Sequence, residues 1–157
     1  MSIAVDAFLA DGVTAVGGKL YALGAGWNRI VVPSLPARHD RIGVGLLVHL
    51  DGGTARQHRF AIRVETPAGT PLTLGASPTG PITAIEGSFG AGDGDDVTMP
   101  FAMQLDGLPL ETAGRYAVVV TIDGDDVKTL AFHVVLQSSA ETPAEAGRPS
   151  TGTAGYL

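Results

Sequence analysis

Two acidic turns come closest, by residue type and spacing, to a site that could do chemistry. Each has the sequence Asp-Gly-Asp-Asp followed by valine, over residues 93–96 and 123–126. Carboxylates gathered on a turn can bind a hard cation such as Ca²⁺, so the candidate metal ligands are Asp93, Asp95, Asp96, Asp123, Asp125 and Asp126. The spacing differs from that of an EF-hand loop, and Asp-Gly is also the pair favoured in a tight hairpin turn. We therefore expect turns here rather than a calcium site, and no cofactor.

Other catalytic patterns are not found in the sequence. The four histidines, at 39, 49, 58 and 133, are scattered, whereas a zinc site needs three or four converging ligands. His49 and His133 fall in predicted strands, but no sequence spacing pairs them. Ser88 is not part of a G-x-S-x-G motif, and the sequence contains no cysteine. Because no nucleophile–base pair can be named, we expect no catalytic residues and no enzymatic activity.

Composition narrows the functional class further. The chain has 157 residues, of which 45% are hydrophobic and 17% charged, enough to bury the core of one domain. A net charge of −6 argues against a nucleic-acid partner, since such proteins normally present a basic face. No segment approaches the length of a membrane-spanning helix, and the first ten residues lack a basic start. We expect a cytoplasmic location with no membrane partner.

Charge is unevenly distributed along the chain. Residues 1–65 carry seven Lys/Arg and five Asp/Glu, whereas residues 66–157 carry three and eleven. This asymmetry leaves two arrangements open: opposite-signed faces that favour head-to-tail contacts between copies, or charges that mix in space. A modest basic patch is also expected if residues 42–50 and 59–65 pair; its members are Arg38, His39, Arg41, Arg56, His58, Arg59 and Arg63.

Apolar residues alternate with a period of two, which predicts β-strands throughout. The clearest strands are residues 42–50, 59–65, 97–105, 116–122 and 127–136, with weaker ones at 2–9, 19–23, 27–32 and 82–89. Pro100 lies within a predicted strand, where proline is tolerated on an edge strand or at a bulge because it cannot donate to the ladder. Turn residues between the strands predict two hairpins, one joining 42–50 to 59–65 and one joining 116–122 to 127–136. The fold class is therefore all-β.

The end of the sequence differs from the rest. Residues 137–157 are small and polar, with little to bury before Tyr156 and Leu157. Such a segment cannot offset its ordering entropy unless a surface holds it. We therefore expect a β-sandwich domain over 1–136 and a disordered, low-complexity C-terminal tail over 137–157. If a surface orders the tail, Tyr156 and Leu157 are its expected anchors.

A resemblance to a known fold rests on two regions. Leu110–Tyr116 and the strands after it resemble the last hairpin of an immunoglobulin-like β-sandwich, with Gly114-x-Tyr116 resembling a tyrosine corner. The runs 4–13 and 18–30 are similar to an uncharacterised bacterial family of small immunoglobulin-like proteins. The resemblance implies an antiparallel sandwich of about 7–9 strands. It transfers no catalytic residues, because the family has no assigned activity.

Two functions remain open from the sequence. The first is a non-enzymatic β-sandwich that acts through protein–protein contacts, as an assembly, accessory or structural subunit that binds a protein partner or itself. The alternative is a module that binds a carbohydrate or another small molecule with exposed aromatic residues and loop carboxylates. The candidate partner-binding residues are Tyr156, Leu157, Tyr21 and Trp27. Trp27 is also a candidate for the core, because large aromatics dominate the cores of small sandwiches.

Overall fold

The computed structural model describes residues 2–52, 57–90, 92, 94 and 96–138, which form β-strands and no helix. The strands are β1 (Ile3–Ala10), β2 (Gly12–Val16), β3 (Lys19–Leu23), β4 (Arg29–Val32), β5 (Ala37–Leu50), β6 (Gln57–Glu65), β7 (Gly75–Ser77), β8 (Gly80–Ile82), β9 (Ile85–Gly90), β10 (Val97–Leu110), β11 (Gly114–Ile122) and β12 (Asp125–Leu136). No helix in the described ranges is long and apolar enough to cross a membrane.

Two sheets make up the body of the protein. One has the strand order β1-β5-β10 and the other β4-β12-β11-β6-β9, while β2-β3 and β7-β8 form two separate hairpins. Strand neighbours in both sheets are antiparallel, except that β4 runs parallel to β12. The first part of the chain thus contributes β1 to one sheet and β4 to the other. The fold is an immunoglobulin-like antiparallel β-sandwich, and its eight sheet strands lie within the predicted range.

The core lies between the two sheets and is built from alternate residues of each strand. On β5 the inward side chains of Ile42, Val44 and Leu46 are at most 2% exposed. Across the core, Phe132 of β12 and Tyr116 of β11 stack with their ring centroids 5.3 Å apart. Residues 116–120 are buried without interruption, as expected for a strand in the middle of its sheet.

The last hairpin confirms the prediction made for it. Ile122 pairs with Asp125, so Asp123 and Gly124 alone form the turn, with φ of 52° and 88°. Positive φ at both positions is what a type I′ turn requires, and Asp-Gly supplies it. The hydroxyl of Tyr116 donates to the carbonyl of Thr112 over 2.8 Å, which is the tyrosine-corner contact expected from the sequence.

The other predicted hairpin is wrong. β5 pairs with β1 and β10, whereas β6 pairs with β11 and β9 in the opposite sheet. Alternation shows that one face of each strand is buried, but both strands bury that face toward the same core from opposite sides. Leu50 at the end of β5 and Gln57 at the start of β6 therefore lie in different sheets. Of the two positions open to Pro100, the structure shows the edge strand, because β10 is an outer strand of its sheet.

Gly114, at the start of β11, offers a test of the tyrosine corner around Tyr116. Its φ is +133°, and a β-carbon there would lie 3.0 Å from Cγ of Pro67. We expect Gly114→Ala to lower the free energy of unfolding by roughly 1–2 kcal/mol, since side chains disfavour positive φ. Gly12→Ala is the matched control, because a β-carbon at Gly12 meets nothing within 4 Å. Chemical denaturation that gives equal stability for the two variants would contradict the argument.

Candidate functional site

The β2–β3 hairpin lies between β1 and β4 in the chain and forms a small sheet of its own, separate from both main sheets. Its base is fixed by backbone contacts, since the amide of Asp11 donates to the carbonyl of Leu23 over 3.0 Å. Its inner face is held by Val13, which is 4% exposed and whose carbonyl accepts from the Gln104 side chain over 3.1 Å. Gly43 allows this approach, because a β-carbon there would lie 3.2 Å from the Val13 nitrogen.

The outer face of the same hairpin is apolar and exposed. Cross-strand pairing of Gly12 with Leu23 and of Thr14 with Tyr21 places these side chains on one face with Val16. Val16 is 61% exposed, Tyr21 54% and Leu23 77%. Six large hydrophobic side chains are exposed among the described residues, and the other three are Val31, Ile82 and Leu136. Exposed apolar side chains gathered on one element are a common feature of protein–protein interaction sites.

A groove of about 570 Å³ runs beside the hairpin face and is lined by Tyr21, Leu23, Arg41 and Gln104 among others. Arg41 in this groove forms an ion pair with Asp106, with Nε and Oδ1 2.6 Å apart. The hydrogen bond to Asp106 raises the pKa of Arg41 above its ordinary value. The groove therefore has an apolar wall on the hairpin and a fixed polar rim on the sheet.

Trp27 lies at a second concavity, separate from the hairpin groove. This cleft, of about 750 Å³, is formed by β4, the loop after it and the first residues of β5. The half-buried Trp27 ring meets Phe132 edge-on with centroids 6.3 Å apart, and His39 at 6.1 Å. Its Nε1 is buried without a hydrogen-bond partner in the described structure. Trp27 thus packs on the core and lines a cleft, while Tyr21 lines the other concavity.

His58, which the sequence analysis placed only in the expected basic patch, is instead a buried polar residue. It is 2% exposed, and its Nδ1–H donates to Oδ2 of Asp123 over 2.7 Å. Asp123 also accepts from the backbone amide of Arg59 over 2.9 Å. The hydrogen bond from His58, followed by that from Arg59, lowers the pKa of Asp123 below its ordinary value. The sequence pattern does indicate that His58 is buried, because it alternates with Phe60 and Ile62 on the inward face of β6.

The acidic turns are used for structural contacts. Asp96 accepts from the backbone amide of Gly52 over 3.0 Å, and Asp126 pairs with Arg63 over 3.2 Å. Asp125 is exposed at the start of β12. Asp93 and Asp95 lie outside the described residues. Within the described ranges, no three His, Asp or Glu side chains come together in a way that could hold a metal ion.

The remaining charged residues show how the uneven sequence charge is distributed in space. Arg41 pairs with Asp106 and Arg63 with Asp126, so cations of the first part of the chain meet acids of the second. Because β5 and β6 lie in different sheets, the basic patch that depended on their pairing does not form; Arg56 lies outside the described residues.

His49 and His133, which the sequence places in predicted strands, do not contact each other. His49 bonds to Asp6 over 2.9 Å on the outer face of its sheet. His133 is exposed on the outer face of the opposite sheet. Tyr156 and Leu157 lie beyond the described part of the chain.

Comparison with solved structures gives distant matches, and three of them each cover 85% of this chain. They include Pseudomonas fluorescens alkylpurine DNA glycosylase AlkC bound to DNA containing an abasic site analog (11% identity, TM-score 0.46). A second is beta-glucosidase from Listeria innocua in complex with glucose (11% identity, TM-score 0.44). A third is an immunoglobulin-like protein from Pseudomonas aeruginosa (13% identity, TM-score 0.38).

These matches differ in how much of the other protein they cover. The chain spans 30% of the glycosylase, 16% of the glucosidase and 97% of the immunoglobulin-like protein. No curated protein matches the sequence. A family model matches residues 5–135, which is most of the chain. The protein therefore belongs to a family of unknown function, DUF6941.

Proposed function

We propose that this protein is a non-enzymatic assembly module that associates with a second copy of itself through the outer face of the β2–β3 hairpin. The observation that carries the proposal is the exposure of Val16, Tyr21 and Leu23 on one face of one hairpin. Aromatic and branched apolar side chains of this kind act as anchors when an interface buries them. A carbohydrate platform is less favoured, because Tyr21 and Trp27 line different concavities.

The charges at the two ends of the hairpin favour a second copy as the partner. Lys19 lies at the tip, opposite Val16, and the carboxylate of Asp11 lies at the base against Gly24. In a twofold dimer the same surface serves both partners. An antiparallel arrangement of two hairpins places the tip of each over the base of the other. Each Lys19 then meets the Asp11 of the partner copy, and the apolar stripes face each other between them.

Light scattering after size-exclusion chromatography tests this proposal. We expect the wild-type chain to approach twice its mass of 16.0 kDa as concentration rises. Tyr21→Ser with Leu23→Ser should raise the dimer dissociation constant by at least about 30-fold, since losing a central anchor costs about 2 kcal/mol. Val31→Ser, at a site 56% exposed on β4, is the matched control and should leave the mass unchanged. A wild-type chain that stays monomeric at every concentration would refute the proposal.

Reversing the charges of Lys19 and Asp11 distinguishes this dimer arrangement from non-specific association. Lys19→Glu places two acids at each proposed contact and should weaken the dimer. Combining it with Asp11→Lys restores opposite charges and should recover the dimer. The single effect should shrink in high salt, because exposed charges are screened. Failure of the double reversal to recover association would exclude the antiparallel arrangement.

A further inference from the structure

The outer strand β9 (Ile85–Gly90) is less protected than the other strands at the sheet edges. β10 carries Pro100, β4 has only four residues, and the carbonyl of Leu9 on β1 accepts from the amide of Gly26 over 2.8 Å. Each of these features hinders the addition of another strand. β9 contains no proline and no lysine. It pairs with β6 on one side, and within the described residues no backbone group hydrogen-bonds to its other side.

The backbone direction of β6 shows which groups of β9 are free to pair. The Arg59 carbonyl accepts from the amide of Asp123 over 2.8 Å, and the Arg59 amide donates to the Asp123 carboxylate over 2.9 Å, so both groups point toward β11. Because successive strand residues direct these groups to opposite sides, the next residue of β6 directs them to Gly87 of β9. Glu86 and Ser88, on either side of Gly87, therefore direct their N–H and C=O groups away from β6.

The charged side chains at this edge are exposed and unpaired. Arg59 lies beside Ser88 in the pairing of β6 with β9. The side chains of Arg59 and Glu86 form no hydrogen bond or ion pair within the part of the chain that the structure describes. A groove of about 490 Å³, lined by Arg59, Ser88 and Thr121 among others, leaves open space beside the guanidinium. An acidic side chain that arrives across the edge can therefore pair with Arg59.

We propose that β9 pairs antiparallel with β9 of a second copy, with Gly87 on the twofold axis. Glu86 of each copy then lies opposite Ser88 of the other, and each of these two pairs exchanges two backbone hydrogen bonds. On the inner side of the sheet, Ile85 lies opposite Phe89 of the other copy, which extends the apolar core across the contact. The five-stranded sheet becomes continuous through both copies.

Charge complementarity favours this register. Because Ser88 lies beside Arg59, Glu86 of the other copy is two strand spacings from Arg59, about 10 Å between Cα atoms, which the two extended side chains can bridge. A register centred on Ser88 instead places Glu86 opposite Gly90 and moves it away from Arg59. The contact uses no residue of the β2–β3 hairpin, so it is a second self-contact beyond the proposed hairpin dimer. It buries less exposed apolar surface, and we expect it to form at higher protein concentration.

Light scattering of the hairpin variant, Tyr21→Ser with Leu23→Ser, tests this contact in the absence of the hairpin contact. Its mass should rise from 16.0 kDa toward twice that value at high protein concentration. Adding Ser88→Pro removes an N–H that faces the second copy and leaves the hydrogen bonds to β6 in place. Each dimer loses two of its four donors, so the dissociation constant should rise about 30-fold relative to Ser88→Ala, which keeps the N–H.

Charge reversal in the same hairpin variant tests the register and does not depend on the proline variant. Glu86→Arg should weaken the dimer, and adding Arg59→Glu should restore it. Circular dichroism confirms that each variant is folded. A hairpin variant that stays at 16.0 kDa at every concentration overturns the proposal, as does equal association of Ser88→Pro and Ser88→Ala or a double reversal that restores nothing. Because the hairpin contact is removed throughout, its failure alone leaves these results unchanged.

Discussion

Phe132→Ala should destabilise the sandwich by about 3–5 kcal/mol, the usual cost of removing a buried phenylalanine. Phe132 is 0% exposed, stacks on Tyr116 at 5.3 Å and meets the edge of Trp27 at 6.3 Å. The substitution therefore opens a cavity against two other aromatic rings. Since domains are stable by only about 5–15 kcal/mol, a loss of this size is a large part of the total. Urea denaturation followed by circular dichroism measures it directly.

Two further variants make this result specific to Phe132. Phe132→Leu keeps most of the volume and should cost less than about 1.5 kcal/mol. Tyr21→Ala removes an aromatic ring that is 54% exposed on the hairpin, and should change the stability of the monomer by no more than about 0.5 kcal/mol. If Phe132→Ala costs no more than Tyr21→Ala, the aromatic stack is not central to the core.

Asp123→Gly should leave His58 with a buried N–H that has no acceptor, at a cost of about 1–3 kcal/mol. Glycine tolerates the φ of 52° at this position, so the loss reports the missing side chain rather than strain. The effect should depend on pH in a defined direction. The folded-state pKa of Asp123 lies below its ordinary value of 3.8, so its ionised form favours the folded state.

The contribution of this ionisation is fully present above pH 3.8 and is lost as the pH falls through the folded pKa. The stability difference between wild type and Asp123→Gly should therefore narrow in strong acid. Asp123→Asn keeps an acceptor oxygen and tolerates positive φ. Its free energy of unfolding at neutral pH should therefore lie between those of the wild type and Asp123→Gly. Denaturation curves over a pH series test this, and a difference that stays constant into strong acid would contradict the linkage.

The parts of the fold that the sequence predicts best are those governed by local chemistry. The strand Val97–Leu105 and the last hairpin are readable because apolar alternation and an Asp-Gly turn act over a few residues. β5 begins at Ala37 rather than Ile42, because its first residues are charged side chains that hide the alternation. Its pairing could not be predicted, since the choice of sheet depends on partners far away in the sequence.

The candidate surfaces were predictable only in part. The sequence predicts Tyr21 as a candidate partner-binding residue. Val16 and Leu23 become candidates only through the strand pairing, which places them on the same face of the hairpin as Tyr21. His58 resembled its scattered neighbours in sequence, and its importance comes from meeting Asp123, which is 65 residues away. Trp27 was open to both a core role and a surface role, and its half-buried position combines the two.

The division of the first part of the chain between two sheets has a mechanical consequence. Ile3 begins beside Leu50 at one end of the sandwich, and Leu136 finishes beside Val32 at the other. Tension between the two ends first loads β1 against β5. Once β1 gives way, it draws β4 along β12, because these two strands run in the same direction. Every hydrogen bond of that pair is then loaded at once, in shear, instead of being peeled apart one by one.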